Sequence, residues 1–236
     1  MRRNKLDFTS DKINIFLMVL DKSGSMACNR SNVKDGMNMY KESFESFPEK
    51  GSIAVSVCMF SEDFEKRPFE GVDEIDFSYY TDGGTALYYS ICKGAEYLQE
   101  YIQEIIREKN IIPNATFIFF SDGEPCCDTG TESQAKEAIE ELNLQGITTV
   151  FVAFGDSIEK KFGERLGFLS VKDVRDRGDL ETFLGKELSE SCKEQSKSMK
   201  GLGANFFSKA VDGTSSSGYS AKAQEVLEDD SWLNDI

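Results

Sequence analysis

Several oxygen-bearing side chains follow apolar stretches of this chain, where they could hold a cation. The run INIFLMVL leads directly into Asp21, and two hydroxyls follow at alternate positions, Ser23 and Ser25. Thr85 lies in the loop TDGGTAL, and Asp122 follows a second apolar run in FFSDGEP. Carboxylates and hydroxyls are hard oxygen ligands of the kind that Mg²⁺ prefers, usually with waters or an outside ligand in the remaining positions. The residue types therefore indicate a divalent-metal site, provided that the fold brings these segments together.

The spacing within the first segment supports this interpretation. Asp21, Ser23 and Ser25 can converge on one side of an extended turn, while Lys22 and Gly24 point elsewhere. The hydroxyls are neutral, so only the two aspartates would bring formal negative charge to the ion. An ion held in this way would stay electrophilic and would accept a carboxylate from a partner protein.

Apolar stretches alternate with amphipathic ones through most of the chain, as is typical of an α/β fold. Buried strands are predicted at 13–20, 52–60, 115–123, 147–155 and 168–174. Helices are predicted at 33–47, 85–109, 131–146, 157–166 and 179–193. Strands and helices that alternate at this spacing predict a doubly wound, mostly parallel sheet with helices on both faces.

Two further features concern the edges of that sheet. The segment DFEKRPFEGV (63–72) carries a proline, which suits an edge strand that pairs in a hairpin with its predecessor. In an open parallel sheet, ligands bind beyond the carboxyl ends of the strands, near the point where the strand order reverses. Asp21, Thr85 and Asp122 should all lie at that end, so we expect their loops to meet.

At these positions the sequence resembles the von Willebrand factor A (VWA) domain family. The metal-ion-dependent adhesion site (MIDAS) of that family has the form D-x-S-x-S, then a threonine, then an aspartate. The matching residues here are Asp21, Ser23, Ser25, Thr85 and Asp122. The resemblance covers residues 10–191 and implies a Rossmann-like sheet with one antiparallel edge strand.

The resemblance also implies a function. It predicts a module that binds proteins without catalysis, holding Mg²⁺ (or Mn²⁺ or Ca²⁺) and recognising an Asp or Glu of a partner protein. By analogy with small bacterial members associated with stress or tellurite resistance, it predicts a cytoplasmic protein. The partner, the pathway and the oligomeric state stay open.

Other interpretations of the same residues are open. The segment DKSGS is also a common kind of turn or helix start, and a complete site can be idle in a structural subunit. The motif further resembles the D-x-D-x-T/S opening of haloacid-dehalogenase-type phosphatases, which would make Asp21 a nucleophile. Ser23 then stands where that chemistry needs an acid, and the Gly-Gly-Thr loop has no role.

The composition of the chain argues against several classes of function. The formal net charge is −15 and the pI is near 4.6, which disfavours sequence-independent binding to nucleic acid or to an anionic membrane. The chain contains no histidine, so His-based triads and His-ligated zinc are excluded. No apolar region directly follows the positive N-terminal residues, and the first apolar run of eight residues ends in a charge, which disfavours a secretory signal. No run approaches the roughly 20 apolar residues of a membrane span, so a soluble protein is expected.

The six cysteines do not have the paired spacing of a zinc site. No C-x-x-C pair is present, and reduced thiols are expected in a cytoplasmic protein. Cys28, Cys126 and Cys127 could rim the metal site, where a redox-sensitive bridge is one hypothesis. Residues 192–236 are rich in Ser, Gly and acidic residues and are predicted to form a flexible tail.

Overall fold

The structure is a computed structural model that describes residues 12–155 and 160–197. Within these ranges the chain forms one sheet in the order β3-β2-β1-β5-β6-β7, with β4 also paired to β2. The strands are β1 (Asn14–Asp21), β2 (Ile53–Phe60), β3 (Phe64–Glu65), β4 (Glu70–Gly71), β5 (Asn114–Ser121), β6 (Thr148–Phe154) and β7 (Ser170–Val174).

Helices cover both faces of this sheet. They are α1 (Arg30–Glu42), α2 (Leu87–Lys109), α3 (Glu132–Leu144), α4 (Lys160–Arg165), α5 (Arg177–Thr182) and α6 (Leu188–Lys197), with a π-helical turn, Phe183–Glu187, between the last two. The predicted doubly wound, mostly parallel architecture is confirmed.

The central strands are apolar along their whole length because both of their faces are covered. In β1, Ile15, Leu17 and Val19 pack with α2 and α3, whereas Phe16 and Met18 belong to the core beneath α1 and α6. Strands β1, β2, β5, β6 and β7 run parallel, and β1 lies between β2 and β5.

The antiparallel edge predicted at 63–72 is present, but as two short pieces in place of one continuous strand. Both β3 and β4 pair with β2, and the chain between them is held by side chains. The carbonyl of Arg67 accepts hydrogen bonds from Ser56 Oγ (2.8 Å) and Tyr97 OH (2.6 Å). Pro68 has no N–H to donate to a ladder, which explains the interruption.

The closing helix extends further than the sequence predicts. Helix α6 runs to Lys197, six residues past the predicted domain boundary at 191, because Cys192, Gln195 and Ser196 are buried against the sheet and α1. Gln195 accepts a hydrogen bond from Thr116 Oγ1 at 2.9 Å. The rest of the predicted tail, 198–236, lies outside the described residues. Among the helices that are described, none is both long and apolar enough to cross a membrane.

Candidate metal site

The reversal of strand order lies between β1 and β5. The chain passes from β1 to β2 in one direction and from β5 to β6 in the other, which leaves a crevice beyond the carboxyl ends of β1 and β5. Asp21 is the last residue of β1, and Asp122 follows the last residue of β5. The two candidate carboxylates therefore lie on adjacent strands at the switch point.

Asp21 is buried, with 0% of its side chain exposed, and both of its carboxylate oxygens accept hydrogen bonds. The backbone N–H of Ser23 donates to Oδ1 at 2.8 Å, and Ser121 Oγ donates to Oδ2 at 2.6 Å. The Tyr79 hydroxyl donates to the backbone carbonyl of Asp21. These contacts fix the orientation of the carboxylate at the end of β1.

A short 3₁₀ helix brings the two serines of the first loop together. The predicted extended turn is present only as far as Ser23, because a 3₁₀ helix then spans Gly24–Asn29. Ser23 Oγ and Ser25 Oγ are 2.9 Å apart, and Ser25 Oγ donates to Asp122 Oδ1 at 2.7 Å. Ser25 thus connects the first loop to the loop after β5.

The Gly-Gly-Thr loop contacts the loop that carries Ser23 and Ser25 through a backbone hydrogen bond. The N–H of Gly24 donates to the carbonyl of Gly83 at 3.0 Å, which ties this loop to the first one. Thr85 is 5% exposed, and its Oγ1 would lie 3.8 Å from a Cβ placed on Gly123. Its side chain therefore faces the start of the loop that carries Asp122. All five residues predicted from the sequence lie around one crevice.

Lys22 points away from the serines, as predicted, and holds two neighbouring loops. Its side chain is only 2% exposed, and Nζ lies 2.9 Å from Asp82 Oδ1 and 3.3 Å from Asp63 Oδ1. The ammonium also lies 4.7 Å from the centre of the Tyr80 ring. This buried cation joins the loop after β2 to the segment that precedes Thr85.

The burial of the two aspartates changes their acidity. Desolvation is the largest influence on Asp21 and raises its pKa from 3.8 to about 6, although hydrogen bonds from Ser121 and Ser23 oppose that rise. The nearby charge of Asp122 raises it further, and burial also raises the pKa of Asp122 itself. A divalent cation between the two carboxylates would favour their ionised forms.

The donor set fits a hard divalent ion. Two carboxylates and three hydroxyls supply oxygen atoms only. The hydroxyls of Ser23 and Ser25 are hydrogen-bonded to each other, and Ser25 also donates to Asp122. Within the described residues, no group of three or more His, Cys, Asp and Glu side chains is assembled for a metal. A metal at this site would therefore depend on the hydroxyls as well as on Asp21 and Asp122.

Three residues that support the site were assigned no such role from the sequence. Ser121 is a polar residue at the end of an apolar strand, a signal that the sequence does contain. Tyr79 and Lys22 act across 58 and 60 positions of the chain, and no local pattern marks them.

No protein-family profile matches this sequence, and no curated protein matches it either. Solved structures do match the fold. The pilus adhesin SpaC of Lactobacillus rhamnosus GG aligns with a TM-score of 0.63 at 13% identity, over 78% of this chain and 31% of SpaC. The chain has a VWA-like fold.

Two further solved structures with this fold carry metal. Proximal thread matrix protein 1 of the mussel byssus, with a zinc-occupied MIDAS motif, aligns at TM-score 0.52 and 15% identity, over 77% of this chain and 46% of the mussel protein. Manganese-loaded TRAP of Plasmodium vivax aligns at 0.51 and 14% identity, over 73% of this chain and 72% of TRAP. This chain spans about a third of SpaC and less than half of the mussel protein. At these identities the likeness is one of fold alone.

Proposed function

We propose that this chain is a metal-dependent protein-binding module. Mg²⁺ is held by Asp21, Ser23, Ser25, Thr85 and Asp122, directly or through water, and the coordination is completed by an Asp or Glu of a partner protein. The metal supplies an electrophilic centre for that carboxylate, while the chain's own residues hold and orient it. The ligand set and the partner carboxylate are both proposed from the resemblance to the MIDAS motif of VWA domains.

One observation carries the proposal. Ser25 Oγ lies within hydrogen-bonding distance of both Ser23 Oγ (2.9 Å) and Asp122 Oδ1 (2.7 Å), so oxygens from two loops face each other at the switch point. A turn that served only to reverse the chain would not need a hydroxyl aimed at a carboxylate 97 positions away. The metal-loaded structures with the same fold support a divalent ion at this place.

We propose a binding role in preference to the phosphatase alternative. A nucleophilic aspartate needs an accessible carboxylate oxygen, but both oxygens of Asp21 accept hydrogen bonds and the side chain is fully buried. The acid position of that chemistry is Ser23, which carries no acidic proton near neutral pH. The segment FVAFGDSIEK (151–160) resembles the later Gly-Asp metal motif of such phosphatases, but its residues 156–159 lie outside the described part of the chain.

We propose a cytoplasmic location on the basis of the cysteines. All six are free thiols, and Cys28, Cys126 and Cys127 are exposed. Exposed thiols persist in a reducing compartment and become oxidised outside it. The acidic net charge of −15 supports a protein partner and weighs against nucleic acid.

Thermal unfolding with and without metal tests the proposal. A ligand that binds only the folded state at 100 times its dissociation constant adds about 2.7 kcal/mol to the free energy of unfolding. We therefore expect Mg²⁺ to raise the melting temperature of the wild type relative to EDTA. The variant Asp21→Asn should not respond, because it loses one of the two negative charges that face the ion.

Asp35→Asn is a matched control, since Asp35 is an exposed carboxylate on α1. It should respond to Mg²⁺ as the wild type does. If Mg²⁺, Mn²⁺ and Ca²⁺ all leave the wild type unchanged, the metal assignment is wrong. If metal binds, partners retained on the wild type in Mg²⁺ but lost in EDTA and on Asp21→Asn would support the binding role. Retention that ignores the metal would contradict it.

A further inference from the structure

Two adjacent cysteines lie beside the Gly-Gly-Thr loop, and the proposed metal site does not use them. Cys126 and Cys127 are both exposed and both free. They stand in the loop after β5, a few residues beyond Asp122. These two solvent-accessible thiols could therefore bind a ligand that the proposed metal site does not bind.

Both sulfur atoms lie against the same point of the neighbouring loop. A Cβ added to Gly84 would stand 2.7 Å from Cys127 Sγ and 3.0 Å from Cys126 Sγ, closer than side chains normally approach. Only a glycine leaves this space, and both sulfurs lie next to it. The thiols therefore converge while remaining open to solvent.

The spacing of adjacent residues favours a bridged pair over a direct disulfide. Consecutive Cα atoms are about 3.8 Å apart across a trans peptide, whereas disulfides usually span about 4.4 to 6.8 Å between Cα atoms. A third atom between the sulfurs lengthens the bridge and relieves that misfit. Thiolates are soft ligands and select soft, thiophilic centres.

We propose that Cys126 and Cys127 form a binding site for a thiophilic centre that takes two sulfur ligands, such as trivalent arsenic, and that occupancy of this site weakens metal binding through Thr85. With an organic arsenic oxide, two As–S bonds form and the As=O bond breaks. The oxygen leaves as water with both thiol protons. Arsenic stays trivalent, so no oxidant or reductant is required.

The link to Thr85 is a reciprocal pair of hydrogen bonds. The N–H of Thr85 donates to Cys126 Sγ at 3.2 Å, and the N–H of Cys126 donates to the carbonyl of Thr85 at 3.1 Å. A centre bound to Cys126 engages the sulfur that accepts from Thr85 and weakens this bond. Thr85 is a ligand in the proposed function, so this part of the inference depends on that proposal. Loss of such supporting contacts typically weakens metal affinity by about 10- to 100-fold.

Phenylarsine oxide is the probe for the test, applied to the reduced full chain after the reductant has been removed. Intact mass spectrometry should show one adduct, formed with loss of one water, and titration should show two fewer reactive thiols. Excess 1,2-ethanedithiol should remove the adduct. Cys126→Ser and Cys127→Ser should each lose it, and circular dichroism checks that each variant is folded. Cys28→Ser, which removes another exposed thiol, is the matched control and should retain the adduct.

The two parts of the inference fail separately. Absence of an adduct on the folded wild type, or its persistence in Cys126→Ser, overturns the dithiol site. Calorimetric titration should give an Mg²⁺ affinity about tenfold weaker for the arsenical-loaded protein than for the free protein. Equal affinities overturn the coupling through Thr85. If the unloaded wild type binds no Mg²⁺ at all, the proposed function and the coupling fail together, and the adduct result stands by itself.

Discussion

At the scale of single residues, Asp21 combines full burial with an ionisable group. Its side chain is 0% exposed, and desolvation raises its pKa from 3.8 to about 6, with the charge of Asp122 adding to the effect. At neutral pH the metal-free protein therefore holds a carboxylate that is less stable ionised in the fold than in the unfolded chain. A bound cation would favour the ionised carboxylate in the fold instead. The stability of the folded protein should therefore depend on both metal and pH.

This shift predicts how metal stabilisation varies with pH. A folded-state pKa above the unfolded value means that the Asp21 contribution to stability is complete below about pH 4 and is lost as the pH rises through about 6. Mg²⁺ must displace a proton from Asp21 below pH 6 but not above it. The rise in melting temperature caused by Mg²⁺ over EDTA should be largest above about pH 7 and should fall towards pH 5. Paired melts across this range measure it, and a rise that is the same at every pH would contradict the prediction.

The same shift predicts the metal-free stability of Asp21→Asn. An amide can keep the hydrogen bond from the Ser23 N–H and carries no charge. A shift from 3.8 to about 6 corresponds to about 3 kcal/mol as an upper value, so in EDTA near pH 7.5 the variant should be as stable as the wild type or more so. Urea denaturation in EDTA measures the difference. A variant clearly less stable than the wild type would show that the carboxylate is needed for folding itself.

At the scale of elements, helix α2 receives its N-terminal cap from a distant loop. Ala86 at its N-cap position makes no side-chain hydrogen bond. Asp128 caps the helix instead, because its carboxylate accepts hydrogen bonds from the N–H groups of Tyr88 and Tyr89, the latter at 2.9 Å. A negative charge at a helix N-terminus also interacts favourably with the helix dipole. Since Thr85 lies just before α2, this cap helps to set its position.

Asp128→Ala should therefore affect both stability and metal binding. Loss of a helix cap costs about 0.5 to 2 kcal/mol, and the freed N-terminus of α2 should let Thr85 move and weaken Mg²⁺ affinity. Calorimetry and denaturant melts measure the two effects. Thr131→Ala removes the cap of α3, whose capping box with Gln134 is complete, and serves as a control. It should lower stability to a similar degree and leave Mg²⁺ affinity unchanged. Equal loss of affinity in both variants would argue against a specific role of α2.

At the scale of the whole molecule, the sequence carries a net charge of −15, and several exposed carboxylates lie near the site. Glu62, Asp63, Asp82 and Glu124 are exposed in the loops near the crevice, and Lys22 can neutralise only one of its two partners. Such a field attracts cations over distances set by the ionic strength. It should also repel an acidic partner unless the metal is bound first.

Mg²⁺ affinity should consequently fall as salt is added. The screening length falls from about 30 Å at 0.01 M to about 8 Å at 0.15 M, which removes most of the contribution of these exposed carboxylates. Glu124→Gln should weaken binding modestly at low salt and hardly at high salt. Glu194→Gln is a control, because α6 contacts β5 near its amino end through Gln195, away from the site. Equal effects of the two substitutions would exclude a local contribution from Glu124.

Much of the fold follows from patterns that are local in the sequence. The strand and helix predictions succeed because apolar residues recur with the period of each element and because signals such as Thr131 with Gln134 mark an end within four residues. The five candidate ligands could be named because they lie in the segments that follow β1, precede α2 and follow β5, and because their order resembles the MIDAS motif. Pro68 correctly predicted an edge and, having no N–H, also accounts for its interruption. The path of the interrupted segment, however, depends on hydrogen bonds to Arg67 from Ser56 and Tyr97, which lie 11 and 30 positions away in the chain.

The element types, the parallel sheet and the five residues proposed as metal ligands could all be predicted from the sequence, because each depends on spacing along a few turns or one strand. The tertiary structure decided the contacts of Asp21 with Ser121, of Lys22 with Asp82 and of Asp128 with α2, as well as the convergence of Cys126 and Cys127 on Gly84. Most of these contacts join residues about 40 to 100 positions apart, so they depend on the strand order and on the loop paths. The raised pKa of Asp21 has the same origin, since desolvation arises only when both faces of the sheet are covered.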